Sequence, residues 1–181
     1  MKVFRKITLI FSLFSVATVA AQNWKSHSAN ILPQKRFEVG LFQPFRYGYN
    51  ETLEYSTYPI WFLLMPNVTI KMSHEDFQSY SMATKWSMYY PSPLLKIAAK
   101  EGVGGFIDPN LKVPSMIGLS ASLLLSKTIL DMDLTFNSGL DIGFSLGYLD
   151  NRINIELPLL YHRLSVFQNN YGFHTGLDVG R

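Results

Sequence analysis

The sequence contains no cysteine, which excludes a disulfide framework, a thiolate metal site and a lipid anchor on an N-terminal cysteine. Lysine and arginine form no cluster in the mature part of the chain. If Lys2, Arg5 and Lys6 leave with a signal peptide, thirteen basic residues face thirteen acidic ones. A nucleic-acid partner therefore has no electrostatic support.

Long apolar runs are also missing. No window after residue 21 offers the roughly eighteen uninterrupted apolar residues that a transmembrane helix needs. The glycine-rich stretch Gly102–Pro109 has neither a Walker lysine nor dinucleotide-binding spacing, and it is interpreted as a turning loop. A closed β-barrel is then the remaining way for this chain to span a membrane.

The start of the chain has the three-part pattern of a signal peptide. A basic beginning precedes an apolar stretch, Ile7–Val16, that is too short to span a bilayer. Val19 and Ala21 then occupy the two positions that a signal peptidase reads. We therefore predict a signal peptide at residues 1–21 and one β-barrel domain of an exported protein at residues 22–181.

Alternation with a period of two, which places successive side chains on opposite faces of a strand, dominates the mature sequence. It is clearest in Ser79–Tyr90, Gly139–Tyr148 and Tyr171–Val179. In the first run Tyr80 and Trp86 share the apolar face. A helix would repeat its apolar positions every three to four residues, so these runs predict β-strands.

Weaker alternation marks further strands near residues 37–41, 53–57, 68–72, 117–125 and 130–136. Asn137-Ser138-Gly139 and Asp150-Asn151 contain residues that tolerate positive φ, so tight hairpins are predicted at both. The predicted fold is all-β, an antiparallel β-barrel of about eight to ten strands. Whether the barrel is complete is left open.

Some segments depart from the alternation. Ser92-Pro93 can begin a helix and Gly102 can end it, so one short helix is predicted near residues 93–101. Ile60–Met65, the most hydrophobic stretch of the mature chain, fits either a lipid-facing strand end or a buried helical turn. Pro158 interrupts the pattern of the region around it, where strands are least defined.

Alternation alone does not say which face of the strands meets water. Soluble barrels point their apolar face inward, whereas outer-membrane barrels point it at lipid. Runs of nine to twelve residues suit a tilted crossing of the hydrocarbon, and the small, weakly charged opposite face suits a narrow interior. Aromatic residues at strand ends are typical of interfacial girdles; they are Trp61, Phe62, Tyr89, Tyr90, Tyr148, Tyr161 and Tyr171. These features favour an outer-membrane barrel whose apolar face meets lipid.

Several motifs carry a resemblance to a known group of proteins. They are Arg36–Gly48, Met65-Pro66-Asn67, Tyr89–Leu95, Glu101–Gly105, Leu157-Pro158-Leu159 and Tyr171-Gly172. The chain resembles an uncharacterised family of exported β-barrel-like proteins from Bacteroidetes-type bacteria over most of its mature length. The resemblance implies a cell-envelope β-barrel and brings no assigned activity or catalytic residue.

Histidine is scarce, and no motif arranges it for catalysis. His174 or His162 beside a serine such as Ser145 or Ser165 would supply a base and a nucleophile. Ordinary hydrogen bonding is the favoured interpretation. His74-Glu75-Asp76 is interpreted as a loop rather than a metal site, because adjacent residues of a strand point to opposite faces. We therefore expect no catalytic, metal-binding or cofactor-binding residues.

Three carboxylates fall on the polar face of the predicted strands: Asp131, Asp133 and Asp141. One interpretation is that they bias the permeation of ions through a lumen. The favoured interpretation is that they pair with basic side chains, for which the candidates are Lys127, Arg152 and Arg163.

The favoured function is a non-enzymatic outer-membrane β-barrel that acts as a small channel, scaffold or adhesin, with the lipid bilayer as its partner. One alternative is a soluble periplasmic β-barrel that holds an apolar ligand inside. Another is an outer-membrane lipid-modifying enzyme that uses one of the histidines. Neither a nucleic acid nor a cofactor is expected.

Overall fold

The computed structural model describes residues 26–40, 43–101, 107–130, 132–153 and 164–180. The strands are β1 (Phe37–Glu38), β2 (Phe45–Gly48), β3 (Leu53–Thr57), β4 (Asn67–Ser73), β5 (Ser81–Tyr89), β6 (Ser115–Ile129), β7 (Met132–Leu146) and β8 (Tyr171–Gly180). The helices are α1 (Pro59–Phe62), α2 (Ser92–Ala98) and α3 (Ser165–Asn169). In the part of the chain that is described, no helix is long and apolar enough to cross a membrane.

The eight strands form one antiparallel sheet in which each strand pairs with its neighbours in sequence. The longest ladder joins β6 to β7, from Ser115 opposite Leu146 to Ile129 opposite Met132. Across the described ranges β1 and β8 are not paired, so the sheet is not closed. The predicted all-β antiparallel fold with eight to ten strands is confirmed, as an incomplete barrel.

The two ends of the sheet carry different connections. At one end, here called the turn end, β2–β3, β4–β5 and β6–β7 are joined by links that contain no helix. The start of β1 and the finish of β8 lie at the same end, because Phe37 pairs with Tyr47 and Gly180 pairs with Asp133. At the opposite loop end, the links β3–β4, β5–β6 and β7–β8 are longer and contain α1, α2 and α3.

The two faces of the sheet meet different surroundings. Along β6 the polar side chains of Ser120 and Ser122 are buried, whereas Leu119 before them and Leu123 after them are exposed. The inward face lines a cavity with residues of β3 to β8, so the sheet is rolled around an interior. Around Ser120 and Ser122 the usual arrangement of a water-soluble protein, with apolar side chains inside and polar ones outside, is therefore reversed.

An apolar cluster fills the interior at the loop end. It contains Met65, Tyr89, Leu95, Ile107, Met116, Leu149, Ile153, Leu164 and Phe167. Tyr89 is opposite Gly118, where a Cβ would lie 2.2 Å from the tyrosine ring, so the missing side chain makes room for the aromatic one. The prediction that Tyr89 lies in an exposed aromatic girdle is wrong, because Tyr89 occupies a position of β5 that faces inward. Tyr148 and Tyr171, from the same prediction, are exposed at the loop end.

The predicted hairpin at Asn137-Ser138-Gly139 is wrong, since β7 runs through these residues without a break. The apolar residues before and after this segment continue one alternation with a period of two, so the residues on its two sides belong to one strand. The turn lies instead before Met132, where Leu130 has a φ of 50°. Asp150 and Asn151 do begin a turn, closed by the Ile153 amide, but it lies within the long β7–β8 connection rather than in a tight hairpin.

The predicted helix near residues 93–101 is confirmed as α2. Ser92 is its first residue rather than its cap, and the Ser92 hydroxyl donates to the Pro114 carbonyl and accepts from the Met116 amide. Those bonds tie α2 to the start of β6. Ile60–Met65, for which two interpretations were open, begins within α1, where no residue is buried, and ends at the buried Met65.

Gly143 of β7 packs directly against α3. A Cβ there would lie 2.7 Å from the Val166 carbonyl oxygen and 2.9 Å from the Phe167 Cα. We expect Gly143→Ala to lower the free energy of unfolding by about 1–3 kcal/mol, because backbone must move to admit the methyl group. Thermal unfolding in detergent micelles measures this loss of stability.

The matched control for that substitution is Gly176→Ala on β8, where a Cβ would meet nothing within 4 Å. It should be neutral, or stabilising by up to about 1 kcal/mol through the unfolded chain. Equal losses in both variants would contradict the packing of α3 against β7.

Candidate functional site

The interior holds a polar cavity of about 270 Å³ between the two ends of the sheet. It is lined by polar residues of six strands, β3 to β8, and of the segment before β1. Those that matter below are Glu54, Lys71, Lys85, Ser120, Ser122, Asn137 and His174. The segment before β1 contributes Ser26 and His27. A cavity of this size lies just below the usual range for small-molecule sites.

Three charged side chains are buried together on the inward face. Arg46, Glu54 and Lys71 are each 2% exposed. The Arg46 guanidinium donates to both oxygens of Glu54, from Nε at 2.9 Å and from Nη2 at 2.8 Å. Lys71 Nζ lies 3.6 Å from Glu54 Oε1. The Glu54 carboxylate can be buried because its negative charge is balanced by the guanidinium, which binds both of its oxygens, and by the second cation, Lys71.

This ionic cluster also holds the segment before β1 inside the barrel. Lys71 Nζ donates to the carbonyl oxygens of Ser28 at 3.2 Å and Asn30 at 2.8 Å. Glu54 Oε2 accepts the Leu32 amide at 2.9 Å. Further along, the Ala29 amide donates to Ser126 Oγ at 2.7 Å. The segment 26–33 is therefore anchored within the interior by side chains of three strands.

A second cluster joins β6, β7 and β8. Ser122 Oγ lies 3.1 Å from His174 Nε2, and His174 Nδ1 lies 2.9 Å from Asp141 Oδ2. Ser122 is opposite Gly139 in the ladder, and Gly139 is opposite His174. A Cβ at Gly139 would lie 2.5 Å from His174 Cε1, so the glycine lets the imidazole cross to the serine. Ser122 and His174 both line the cavity.

The histidines selected from the sequence lie in different parts of the structure and have different contacts. His74 Nε2 lies 2.9 Å from Thr84 Oγ1 at an exposed position, an ordinary hydrogen bond. His27 lines the cavity, and His162 lies outside the described residues. Neither serine proposed as a partner of His174 is its partner in the structure, because Ser145 Oγ donates to the Gly147 carbonyl and Ser165 lies in α3. Among the described residues, His174 bonds to Ser122 and Asp141.

The prediction that Arg152 pairs with Asp131, Asp133 or Asp141 is wrong. This arginine bonds Asp150 instead, from Nη2 to Oδ2 at 2.7 Å, and that contact lowers the pKa of Asp150 to about 2. Lys127 lies over the Tyr80 ring at 4.9 Å. Asp133 accepts a hydrogen bond from Thr128 Oγ1. Asp131, Arg163 and the predicted signal peptide lie outside the described residues.

Sequence analysis did not select Arg46, Glu54, Lys71 or Ser122. One feature of the sequence could have identified them, because each occupies a position in the alternation of its strand that faces inward. Within the described ranges no three His, Asp or Glu side chains are grouped to hold a metal ion. Burial raises the pKa of Tyr58, which lies beyond β3 at the cavity, so its phenol is neutral near pH 7.

Comparison with protein-family models, with curated proteins and with solved structures gives no match.

Proposed function

We propose that the protein is an integral β-barrel of the outer membrane, with its apolar face against lipid and its polar face around the interior. The observation that carries the proposal is the reversed burial. Trp86 of β5 and Phe144 of β7 are 55% and 53% exposed, whereas Arg46, Glu54 and Lys71 are 2% exposed. A surface of large apolar side chains over several adjacent strands needs an apolar partner.

The connections support the same proposal. Bacterial outer-membrane barrels combine short turns at the periplasmic end with longer loops at the outer end. Here the β2–β3, β4–β5 and β6–β7 links, the start of β1 and the finish of β8 share the turn end, and the three links that contain a helix share the loop end. We therefore assign the turn end to the periplasm and the helix-bearing loop end to the cell surface.

Among the non-enzymatic roles, an envelope scaffold is favoured over a channel. The segment 26–33 is hydrogen-bonded into the interior by Lys71 and Glu54. At the loop end, the apolar cluster around Met65, Leu95 and Phe167 occupies the interior. Both features obstruct a continuous water-filled path. A soluble barrel with an apolar ligand is disfavoured, because Glu54, Lys71 and Lys85 line the cavity.

Membrane fractionation tests this proposal. In cells expressing the full chain, we expect the protein in the envelope pellet after an alkaline or urea wash and its release only by detergent, because the apolar face is held by lipid. A periplasmic soluble protein, released by the same wash, is the control. Release of this chain with that control, followed by folding in plain buffer, would replace the proposal with the soluble barrel.

A further inference from the structure

We propose that Ser122, His174 and Asp141 form a nucleophilic triad that opens on the interior cavity and acts on short-chain carboxylic esters. This activity goes beyond the proposed envelope role and does not rest on membrane insertion, because the triad lies entirely on the inward face. The inward position also separates it from an enzyme acting on the lipid around the barrel.

The hydrogen-bond geometry defines the role of each residue. Asp141 is 2% exposed and its carboxylate accepts from His174 Nδ1, which leaves Nε2 of the neutral ring as an acceptor. Ser122 Oγ lies 3.1 Å from that nitrogen. This is the order of contacts with which a serine is activated by a histidine base that a carboxylate orients.

The reaction then balances without a cofactor. Ser122 Oγ bonds to the ester carbonyl carbon while its proton passes to His174 Nε2. The tetrahedral intermediate collapses, the carbon–oxygen bond to the alcohol breaks, and His174 gives the proton to the departing alkoxide. Water, deprotonated by His174, attacks the acyl-serine, and the carboxylic acid leaves as the proton returns to Ser122.

Lys85 supplies positive charge beside the serine. It is directly opposite Ser122 in the β5–β6 ladder and lines the same cavity. A cation at that position favours the negative charge that develops on the carbonyl oxygen of the intermediate. Asn137, which also lines the cavity, has a buried side-chain oxygen that bonds to none of the described residues. Its amide therefore offers a further polar contact to a bound molecule.

Cavity size and polarity define the class of substrate. About 270 Å³ bounded by lysine, glutamate, serine and histidine side chains suits a small polar ester rather than a long acyl chain.

Covalent labelling tests the triad without knowledge of the natural substrate. The full chain, folded in detergent, is treated with phenylmethylsulfonyl fluoride and mapped by mass spectrometry. We expect one adduct, on Ser122: its Oγ bonds to sulfur, fluoride leaves and His174 takes the proton. His174→Asn and Asp141→Asn should each slow labelling at least about 100-fold, since the base is lost or misoriented.

Ser145→Ala is the control, because Ser145 lies on the neighbouring strand β7, is not part of the cavity lining and donates its hydroxyl to the Gly147 carbonyl. It should label as the parent does, whereas Ser122→Ala should not label. Turnover of p-nitrophenyl acetate but not of p-nitrophenyl palmitate, lost in Ser122→Ala, would support the substrate class. No adduct on folded parent protein, or equal labelling rates in Asp141→Asn, would overturn the triad, whatever the fractionation result.

Discussion

Replacing Glu54 by alanine should lower the free energy of unfolding by about 3–5 kcal/mol, the cost of removing one partner from a buried ion pair. Arg46 and Lys71, both buried, would lose the carboxylate between them. The Leu32 amide would also lose its acceptor. Equilibrium unfolding by urea in detergent micelles measures the change.

Glu38→Ala is the matched control, because the Glu38 carboxylate also accepts from Arg46, at 3.0 Å, but is 35% exposed. Water can replace that contact, so the loss should stay below about 1 kcal/mol. If Glu54→Ala and Glu38→Ala lose equal stability, Glu54 is not the centre of the cluster. A Glu54→Ala chain that does not refold where Glu38→Ala does would count as the large loss.

The same variant tests the anchoring of the segment 26–33. Without Glu54, the Leu32 amide loses its acceptor, and Lys71, which bonds the segment at Ser28 and Asn30, lacks its counter-charge. Limited trypsin digestion should therefore cut after Lys35 or Arg36 faster in Glu54→Ala than in Glu38→Ala. Unchanged protection would mean that the ionic cluster does not hold the segment in place.

The strands were predictable because one of their faces is polar and the other apolar. A period of two is then visible in β3, β4, β5 and β8 from sequence alone. The full length of β7 was not predictable in this way. A narrow polar interior accepts asparagine and glycine at Asn137 and Gly139, and the same residues are typical of hairpin turns.

The two interior clusters were harder to predict for different reasons. Ser122 and His174 are 52 residues apart and Asp141 and His174 are 33 apart. Their contact depends on the strand register, and the sequence analysis placed an additional hairpin at Asn137-Ser138-Gly139, inside the strand that carries Asp141. The segment 26–33 has no alternation, so no local pattern indicates that it lies inside the barrel.

The position of the lipid along β7 can be tested with arginine on the outward face. Leu140 lies near the middle of β7 and is opposite Ala121 and Phe173 in the flanking strands. Leu140→Arg should lower the free energy of folding into liposomes by about 2–4 kcal/mol, the cost of an arginine at the bilayer midplane. Urea-dependent refolding into liposomes, followed by tryptophan fluorescence, measures this.

Leu146→Arg is the matched control, since Leu146 shares the face and the strand but ends β7 at the loop end, where it is highly exposed. Near the interface an arginine should cost only about 0–1 kcal/mol, because its guanidinium reaches water. On the surface of a soluble barrel, both substitutions would meet water and stay within about 0.5 kcal/mol of the parent. A neutral Leu140→Arg would therefore place the outward face of β7 in water and contradict the membrane assignment, whereas a large loss at Leu140 with a small one at Leu146 locates the hydrocarbon around the middle of the strand.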